Sequence, residues 1–317
     1  MRAAWETNAL AQLPDVLKAA IDDRRTVVIA GPTAAGKSAY ALALAQHTPS
    51  IILNADSMQV YRDLCVLTAR PGAQETTAVE HALYGHVDAA AGYSVAAWLQ
   101  DVTTQVTAAM ASGKLAIIIG GTGLYLSALV DGLSPVPPIP AQIRASWRAK
   151  GEVLSPALLH AELANRDPEM AGLLRPSDPQ RVLRALEVIE ATGQSLAAWQ
   201  RIPGTPTLAA GRWSGIVIAP ERDQLYARCD ARLLTMLQRG ALGEVERLQA
   251  RVAAGEVQAD APVCRALGVP QFAAHLAGDL SIHSALEDAR TRTRQFAKRQ
   301  LSWLRGRMAA WHWLADN

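Results

Sequence analysis

The segment Gly31–Ser38 reads Gly-Pro-Thr-Ala-Ala-Gly-Lys-Ser and directly follows the β-branched run Thr26–Ala30. It fits G-x-x-x-x-G-K-[ST] between a predicted strand and a predicted helix, which is the context a phosphate-binding loop requires. Glycines let backbone N–H groups turn towards phosphate oxygens, and the following helix presents its positive end to the same place. Lys37 adds a point charge and the Ser38 hydroxyl is a ligand for Mg²⁺. The loop alone leaves the phosphate compound open.

Buried strands alternate with helical segments along much of the chain. Runs with no polar interruption are typical of parallel strands covered on both faces. The predicted strands are Thr26–Ala30, Ser50–Ala55, Lys114–Ile119 and Trp213–Ala219. Helical patterns such as Val95–Ser112 lie between them, and Leu13–Ile21 predicts a further helix without an assigned role. The chain is therefore predicted to be α/β, with a parallel sheet at its core.

A helical module interrupts this pattern. The proline-rich segment Ser134–Pro140 cannot be regular helix or central strand, because proline lacks a donor and fixes φ. No strand is predicted from Ala141 to Gln200. Asp178 and Pro179 are typical of a helix start, and that helix is predicted to end near Gly193. The predicted divisions are 1–137 for the first part of the core, 138–203 for the helical insertion, and 204–317 for the rest of the core with basic C-terminal helices.

Bulk properties exclude several classes of protein. The 317 residues carry a net charge of only +2, so a nucleic-acid interface must depend on where charges lie. Cys65, Cys229 and Cys264 are far apart, which argues against a disulfide framework and a structural zinc site. Met1–Asp23 lacks the pattern of a signal peptide, and no stretch of about eighteen apolar residues occurs. We expect a cytoplasmic protein with no membrane partner.

Two polar segments follow predicted strands at their carboxyl ends, where sites form in this architecture. Asp56 in Asn54–Tyr61 would face the phosphate loop as a general base or a magnesium ligand through water. An N-cap at a helix start is an equally good interpretation of Asp56. Thr122 in Gly120–Gly123 offers a hydroxyl beside glycines that permit close approach. A plain turn into the helix Leu124–Val130 explains that segment equally well.

Basic residues concentrate in two further places. Arg228 and Arg232 are four apart on a predicted helix, where they suit phosphate binding, although a solvated face paired with Asp223 or Asp230 is locally favoured. Residues 289–308 hold seven Lys and Arg side chains and no acid. Such a run favours a polyanion, since solvated faces normally mix signs. Gln180, Arg181 and Arg184 form a smaller patch at a predicted helix start, a reasonable place for RNA contacts.

Taken together, these segments resemble the tRNA dimethylallyltransferase family, also called tRNA isopentenyltransferases. The family's motifs are G-P-T-A-[SA]-G-K-[ST], N-A-D-S-M-Q-V-Y, T-A-[KR]-P, G-G-T-x-L-Y, G-L-S-P, D-x-Q-R-x-x-R-A-L-E-V and T-R-Q-x-A-K-R-Q-x-x-W-L-R. They match Gly31–Ser38, Asn54–Tyr61, Thr68–Pro71, Gly120–Tyr125, Gly132–Pro135, Asp178–Val188 and Thr293–Arg305, in the family's order. The resemblance thus spans nearly the whole chain.

The resemblance implies transfer of a dimethylallyl group from dimethylallyl diphosphate to N6 of the adenosine 3′-adjacent to the anticodon, in tRNAs reading codons that begin with U. It implies a P-loop kinase-like core with an inserted helical module that grips the anticodon stem-loop, Mg²⁺ on Ser38, and Asp56, Thr122 and Lys37 in catalysis. We also expect a monomer. The residues implied for the diphosphate are Gly31, Pro32, Thr33, Ala34, Ala35, Gly36, Lys37, Ser38, Arg228 and Arg232. Those implied for tRNA are Asp56, Ser57, Met58, Gln59, Thr122, Arg144, Gln180, Arg181, Val182, Leu183, Arg184, Arg265, Lys298, Arg299, Gln300, Trp303 and Arg305.

Two segments depart from the family pattern. Glu80–Gly85 lacks the proline and first aspartate of P-x-H-x-L-x-D, and Arg265–Gln271 lacks the tyrosine of R-x-[IV]-G-Y-[RK]-[QE] and contains Pro270. Three other functions share some of these features. A P-loop kinase of a small metabolite or nucleotide would use the same loop but has no need of the basic C-terminal segment. An isopentenyltransferase of free adenine nucleotides needs neither that segment nor the helical module. A noncatalytic RNA-binding protein would not need Lys37, Asp56 and Thr122.

Overall fold

A single parallel sheet organises the protein. The computed structural model describes residues 15–23 and 25–315, and within this part six strands pair in the order β3-β2-β4-β1-β5-β6. The strands are β1 Thr26–Ala30, β2 Ser50–Asn54, β3 Glu80–Ala82, β4 Leu115–Gly120, β5 Trp213–Ile218 and β6 His312–Leu314. All pairings are parallel, which confirms the α/β prediction.

Helices connect the strands and form the inserted module. Before β4 they are α1 Asp15–Asp22, α2 Lys37–Ala45, α3 Ala73–Ala78 and α4 Val95–Ala111. Between β4 and β5 they are α5 Gly123–Asp131, α6 Ala141–Val153, α7 Pro156–Arg166, α8 Pro168–Leu173, α9 Pro179–Thr192 and α10 Leu196–Gln200. After β5 they are α11 Arg222–Gln238, α12 Ala241–Ala253, the 3₁₀ helix Pro262–Arg265, α13 Val269–Leu276 and α14 Ile282–Arg307.

The central strands are apolar on both faces because helices cover both. Successive side chains of a strand point to opposite faces. Val28 of β1 packs with Ile118 and Trp98 in one core cluster, whereas Val27 and Ile117 belong to the cluster on the other face. Helix α1 adds Leu17 and Ala20 to that second cluster. Its predicted first residues, Leu13 and Pro14, lie outside the described residues.

The two edge strands were not predicted. β3 and β6 are three residues long, and each begins with an exposed residue. Neither forms an uninterrupted apolar run, which is the signal that identified the four central strands. β3 also coincides with the departure at Glu80–Gly85: Ile52 pairs with His81 there.

The helical insertion is wider than predicted. The chain divides into one unit formed by Met1–Val130 with Thr207–Asn317, and a second formed by Asp131–Pro206. The observed limits are 131 and 206 instead of the predicted 138 and 203, because the proline-rich segment packs into the helical unit, where Val136 contacts the core cluster. Its two connecting segments also touch: a Cβ on Gly204 would lie 2.4 Å from the Leu133 nitrogen.

Local signals set the limits of α9 as predicted. Asp178 accepts the Arg181 N–H at 3.3 Å and Pro179 occupies the first turn. Gly193 ends the helix with φ +67°. Elsewhere in this unit, the buried Trp147 donates its indole N–H to Glu190 at 3.0 Å, which satisfies its polar atom. Across the described residues, no helix has the length and apolar character to cross a membrane.

A substitution at Gly120, at the end of β4, tests how tightly the strand ends pack. A Cβ there would lie 2.1 Å from the Ala55 carbonyl oxygen, so the backbone would have to move. We expect Gly120→Ala to lower the free energy of unfolding by about 1–3 kcal/mol. In contrast, Gly172→Ala, on the exposed face of α8 with nothing within 4 Å, should stabilise by about 0.5–1 kcal/mol. Thermal unfolding of both variants checks this, and equal Tm values would contradict it.

Candidate active site

The phosphate loop joins β1 to α2 in a conformation that turns its amides inward. Ala34 and Gly36 both have left-handed φ angles, of 64° and 94°. Alternation of this kind makes backbone N–H groups converge into an anion-binding concavity. Gly31 is required for a different reason: a Cβ there would lie 2.7 Å from the Ile218 carbonyl oxygen. The loop thus has the geometry that its sequence predicted.

A cavity of about 330 Å³ opens beside this loop, within the unit that contains the sheet. It brings together most of the predicted diphosphate residues and the predicted base. Its lining residues are Thr33, Ala34, Ala35, Gly36, Lys37, Ser38, Ala39, Asp56, Gln59, Thr68, Ala69, Glu75, Ile119, Gly120, Arg228 and Arg232. One space therefore joins a phosphate loop, three cationic side chains and two carboxylates.

The cations of the cavity are partly withdrawn from water. Burial lowers the pKa of Lys37 to about 8; Asp56 opposes this shift, and the nearby Arg232 adds to it. Lys37 Nζ donates to the Pro32 carbonyl oxygen at 2.7 Å. Arg232 donates to the Thr33 hydroxyl, and burial lowers its pKa too. A site that desolvates two neighbouring cations is electrostatically suited to a polyanion.

The solvated-face interpretation of Arg232 was wrong. Its guanidinium contacts the phosphate loop, and the proposed partner Asp230 instead pairs with Arg294 at 2.7 Å. Arg228 lines the same cavity one helical turn away on α11. Both arginines therefore lie where the resemblance implied.

A buried amide fixes the backbone around Asp56. The fully buried Asn54 accepts the Asp56 N–H at 2.8 Å and donates to the Asp56 carbonyl at 2.9 Å and to the Leu83 carbonyl at 3.0 Å. Asp56 Oδ1 accepts the Met58 N–H at 2.9 Å, which closes a tight turn. The described residues 55–64 contain no helix, so the N-cap interpretation was wrong.

Thr122 holds the same turn from the neighbouring loop. Its hydroxyl accepts the Ser57 N–H at 3.0 Å, and its own N–H reaches the Ala55 carbonyl at 3.4 Å. Thr122 does more than begin a helix: it positions the residue next to Asp56. Ser57 and Met58 are half-buried in this turn.

Gln300 of α14 bridges two loops of the site. Its Oε1 accepts the Thr33 N–H at 2.9 Å and its Nε2 donates to the Gly121 carbonyl at 2.8 Å. The side chain is 8% exposed, which disagrees with the predicted direct contact with tRNA. Trp303, one turn further on, packs against Gly123, where a Cβ would lie 2.6 Å from the indole. These residues hold the phosphate loop and Gly120–Gly123 in place.

Other predicted RNA contacts lie on exposed surface. Lys298, Arg299 and Arg305 are exposed on α14. The basic run on this helix is not uniformly unpaired, however. Its pairs are Arg290 with Glu287, Arg292 with Asp288, and Arg294 with Asp230. Because these three arginines are paired with carboxylates, only the rest of the basic run can offer its charge to a polyanion. Arg265 is exposed at the end of the 3₁₀ helix.

The predicted contacts of the helical unit differ in accessibility. Arg144, Gln180 and Arg181 are exposed, and Arg181 pairs with Asp178 at 3.3 Å. Leu183 and Arg184 are half-buried, and Arg184 lies 3.4 Å from Glu187. Val182 is fully buried in the core of this unit, so its side chain cannot reach RNA as predicted.

Sequence reasoning missed several residues of the site. Asn54 lies in the matched motif Asn54–Tyr61 but was not predicted as a site residue. Its position, a polar residue at the end of a buried strand, could have indicated its role. Thr68, Ala69 and Glu75 also line the cavity. Thr68 and Ala69 lie in the matched T-A-[KR]-P motif, which carried no assigned role. Glu75 lies on a short exposed helix, where neither periodicity nor spacing indicates a site.

Comparisons with known proteins agree over most of the chain. A family model described as IPP transferase matches residues 59–307. The chain is 50% identical to the tRNA dimethylallyltransferase of Azorhizobium caulinodans over 285 residues, covering 90% of each protein. For that of Methylobacterium nodulans the identity is 49% over 293 residues, covering 92% of this chain and 95% of the relative.

Solved structures show the same similarity. The full-length tRNA isopentenylpyrophosphate transferase from Bacillus halodurans superposes with a TM-score of 0.64 at 29% identity, over 92% of this chain and 90% of that one. A eukaryotic dimethylallyltransferase acting on tRNA gives a TM-score of 0.76 at 27% identity, over 92% of this chain and 73% of that one. The α/β core and its helical insertion are thus shared with these structures.

Lys37 should reduce stability at neutral pH. Because burial lowers its pKa from 10.5 to about 8, the folded protein binds fewer protons than the unfolded chain between these values, and stability contributed by this group rises with pH there. We expect Lys37→Met to raise Tm at pH 7, with the gain shrinking as pH rises from 8 to 10.5. The same variant should lose affinity for inorganic diphosphate. A lower Tm at pH 7 would contradict this.

Removal of the Gln300 bridge should loosen the phosphate loop. Gln300→Ala leaves a buried N–H and a buried carbonyl without partners, at about 1–3 kcal/mol each. We expect a lower Tm and weaker binding of inorganic diphosphate by calorimetry. Gln295→Ala, at an exposed position of the same helix, is the matched control and should change neither. Unchanged diphosphate affinity in Gln300→Ala would show that the loop does not depend on the bridge.

Proposed function

The chain belongs to the IPP transferase family, and from this premise we propose that it transfers a dimethylallyl group from dimethylallyl diphosphate to N6 of the adenosine 3′-adjacent to the anticodon, in tRNAs that read codons beginning with U. The products are N6-dimethylallyladenosine and diphosphate. It is an enzyme of the prenyltransferase kind. The observation that carries the proposal is the shared cavity, because the phosphate loop, Arg228, Arg232 and Asp56 all line it.

The diphosphate binds at the phosphate loop and the cations beside it. When the bond between the allylic carbon and the diphosphate oxygen breaks, negative charge builds on the leaving group. Lys37, Arg228 and Arg232 are placed around the cavity before the reaction and stabilise that charge. The Thr33 N–H is already bonded to Gln300 and the Ala35 N–H to the Pro32 carbonyl, so the remaining loop amides contact the phosphate oxygens.

The donor set of the cavity fits Mg²⁺. Magnesium binds through one or two protein oxygens together with substrate phosphates and water. Ser38, Asp56 and Glu75 supply a hydroxyl and two carboxylates to the cavity lining. The described residues contain no cluster of three or more His, Cys, Asp or Glu side chains that could hold a metal alone. Ser38 would hold the ion, and the ion would neutralise charge on the leaving diphosphate.

Asp56 acts as the general base. An exocyclic amine is a weak nucleophile, since its lone pair is delocalised into the ring. As the bond between N6 and the allylic carbon forms and the carbon–oxygen bond breaks, the N6 proton passes to the Asp56 carboxylate. Asn54 and Thr122 keep the turn around Asp56 in position for this transfer.

RNA binding depends on exposed cations. Lys298, Arg299 and Arg305 on α14, with Arg144 in the helical unit, are available to phosphates, which supply most affinity in such complexes. The target base leaves its stack to enter the cavity, as in other base-modifying enzymes. We propose a monomer that acts in the cytoplasm, where tRNA is found.

The rival functions are not favoured. The relatives carry the names of tRNA-modifying transferases rather than kinases. An acceptor as small as free AMP makes no use of the exposed cations on α14. A noncatalytic RNA-binding protein has no need to place Asp56 beside desolvated cations.

The proposal is tested by transfer of labelled dimethylallyl diphosphate to an unmodified anticodon stem-loop with Mg²⁺. Asp56→Asn keeps the shape but removes the base, and should lower the transfer rate about 10²–10⁴-fold. Asp223→Asn, exposed on α11, should transfer at the wild-type rate. If wild type labels AMP but not RNA, the free-nucleotide function replaces the proposal. Consumption of ATP without labelling either would indicate a kinase.

A further inference from the structure

A buried carboxylate outside the cavity supports one wall of it. Glu244, in the first part of α12, is 5% exposed. Its Oε1 accepts the N–H groups of Cys65 and Val66 at 2.9 and 2.8 Å, and its Oε2 accepts that of Leu67 at 3.0 Å. Burial of a carboxylate is costly unless hydrogen bonds compensate it, and here three consecutive backbone donors do so. None of the reaction steps above uses this group.

The segment held by Glu244 continues directly into the cavity wall. The Ala69 N–H bonds to the Val66 carbonyl at 3.0 Å, and Ala69 has a left-handed φ of 55°. Such a conformation costs alanine free energy and persists only where its surroundings enforce it. The Glu244 hydrogen bonds immediately before it provide that enforcement. Thr68 and Ala69 both line the cavity.

This wall in turn orients Gln59. Gln59 Nε2 donates to the Thr68 carbonyl at 2.8 Å and to the Ala69 carbonyl at 3.1 Å. Two carbonyl partners require the nitrogen on that side, so the orientation of the amide is fixed and Oε1 is the remaining acceptor. A donor such as an exocyclic amine is the chemical complement of that oxygen. Gln59 lines the same cavity as Asp56.

A second contact ties the same helix to the same region. Arg251, two turns further along α12, pairs with Asp63 and with Asp88, and Asp63 accepts the Ala89 N–H at 3.0 Å. Glu244 and Arg251 thus attach α12 to the chain on either side of Leu64. The partners of Arg251 precede or lie outside this segment, whereas Glu244 bonds the residues that lead directly into Thr68 and Ala69.

We propose that Glu244 is a positioning residue of the transfer reaction. By holding Cys65–Leu67 it fixes the carbonyls of Thr68 and Ala69, and through them the Gln59 amide that faces the acceptor base. The inference rests on the proposed function. Glu244 should affect the reaction with the acceptor RNA and not the binding of diphosphate, because none of these contacts includes a residue of Gly31–Ser38.

Glu244→Gln is the direct test. The glutamine keeps the shape of the side chain, but its NH₂ group replaces an acceptor oxygen and opposes one N–H. With stem-loop RNA and saturating dimethylallyl diphosphate, we expect kcat/KM for RNA to fall about tenfold, the effect of losing roughly one hydrogen bond in the transition state. The Kd for inorganic diphosphate should stay within about twofold of wild type, because the phosphate loop is unchanged.

Two control variants separate positioning from stability. Val106→Ala, buried on α4 in a different core cluster, lowers stability without touching the wall and should keep the wild-type kcat/KM well below its Tm. Glu246→Gln removes a charge from an exposed position of α12 and should change nothing. If Glu244→Gln has a lower Tm but the same kcat/KM for RNA as Val106→Ala, the proposal is overturned.

A double-mutant cycle identifies the route. Gln59→Leu removes the amide that the Thr68 and Ala69 carbonyls orient, and it leaves Glu244 unchanged. This variant therefore still tests the proposal if Glu244→Gln folds poorly. Coupled residues give non-additive effects, and the double variant should be no slower than the slower single variant. Additive losses, or loss of diphosphate binding in Glu244→Gln, would overturn the inference while leaving the proposed function intact. Absence of label in RNA with wild type would overturn both.

Discussion

The site depends on the close meeting of three loops at the carboxyl ends of β2, β4 and β1, which are neighbours in the sheet. Gly120 and Gly121 allow this approach, because a Cβ would lie 2.1 Å from the Ala55 carbonyl oxygen at the first position and 2.8 Å from the Gly31 carbonyl oxygen at the second. Gln300 then hydrogen-bonds two of the three loops, and Thr122 joins the third. Cations and a carboxylate share one cavity only because the backbone can come so close.

The arrangement is electrostatically costly. Lys37 and Arg232 both have their pKa lowered by burial, so the folded protein holds them charged at neutral pH at the expense of stability. A bound diphosphate would compensate that cost. Asn54, Gln300 and Glu244 are buried polar side chains that hydrogen-bond to backbone groups and hold irregular backbone in place.

The sequence predicted what depends on local pattern. The four central strands, the phosphate loop, the start and end of α9, and the closeness of Asp56 to Lys37 all follow from short-range spacing and from the rule that sites form at strand ends. Contacts between residues far apart in sequence could not be predicted. The resemblance implied an RNA contact for Gln300, and only the packing of α14 shows that it faces inward. Glu244 carried no signal, since its partners are backbone amides some 180 residues earlier.

The central claim is that one cavity holds both the diphosphate and the target adenosine, with Asp56 beside the amine. A structure of the wild-type protein with an unreactive dimethylallyl diphosphate analogue and an anticodon stem-loop tests it most directly. We expect the diphosphate on Gly31–Ser38 and adenosine N6 within about 2.6–3.2 Å of an Asp56 carboxylate oxygen. An adenosine bound away from Asp56, or a diphosphate bound away from this loop, would contradict the claim.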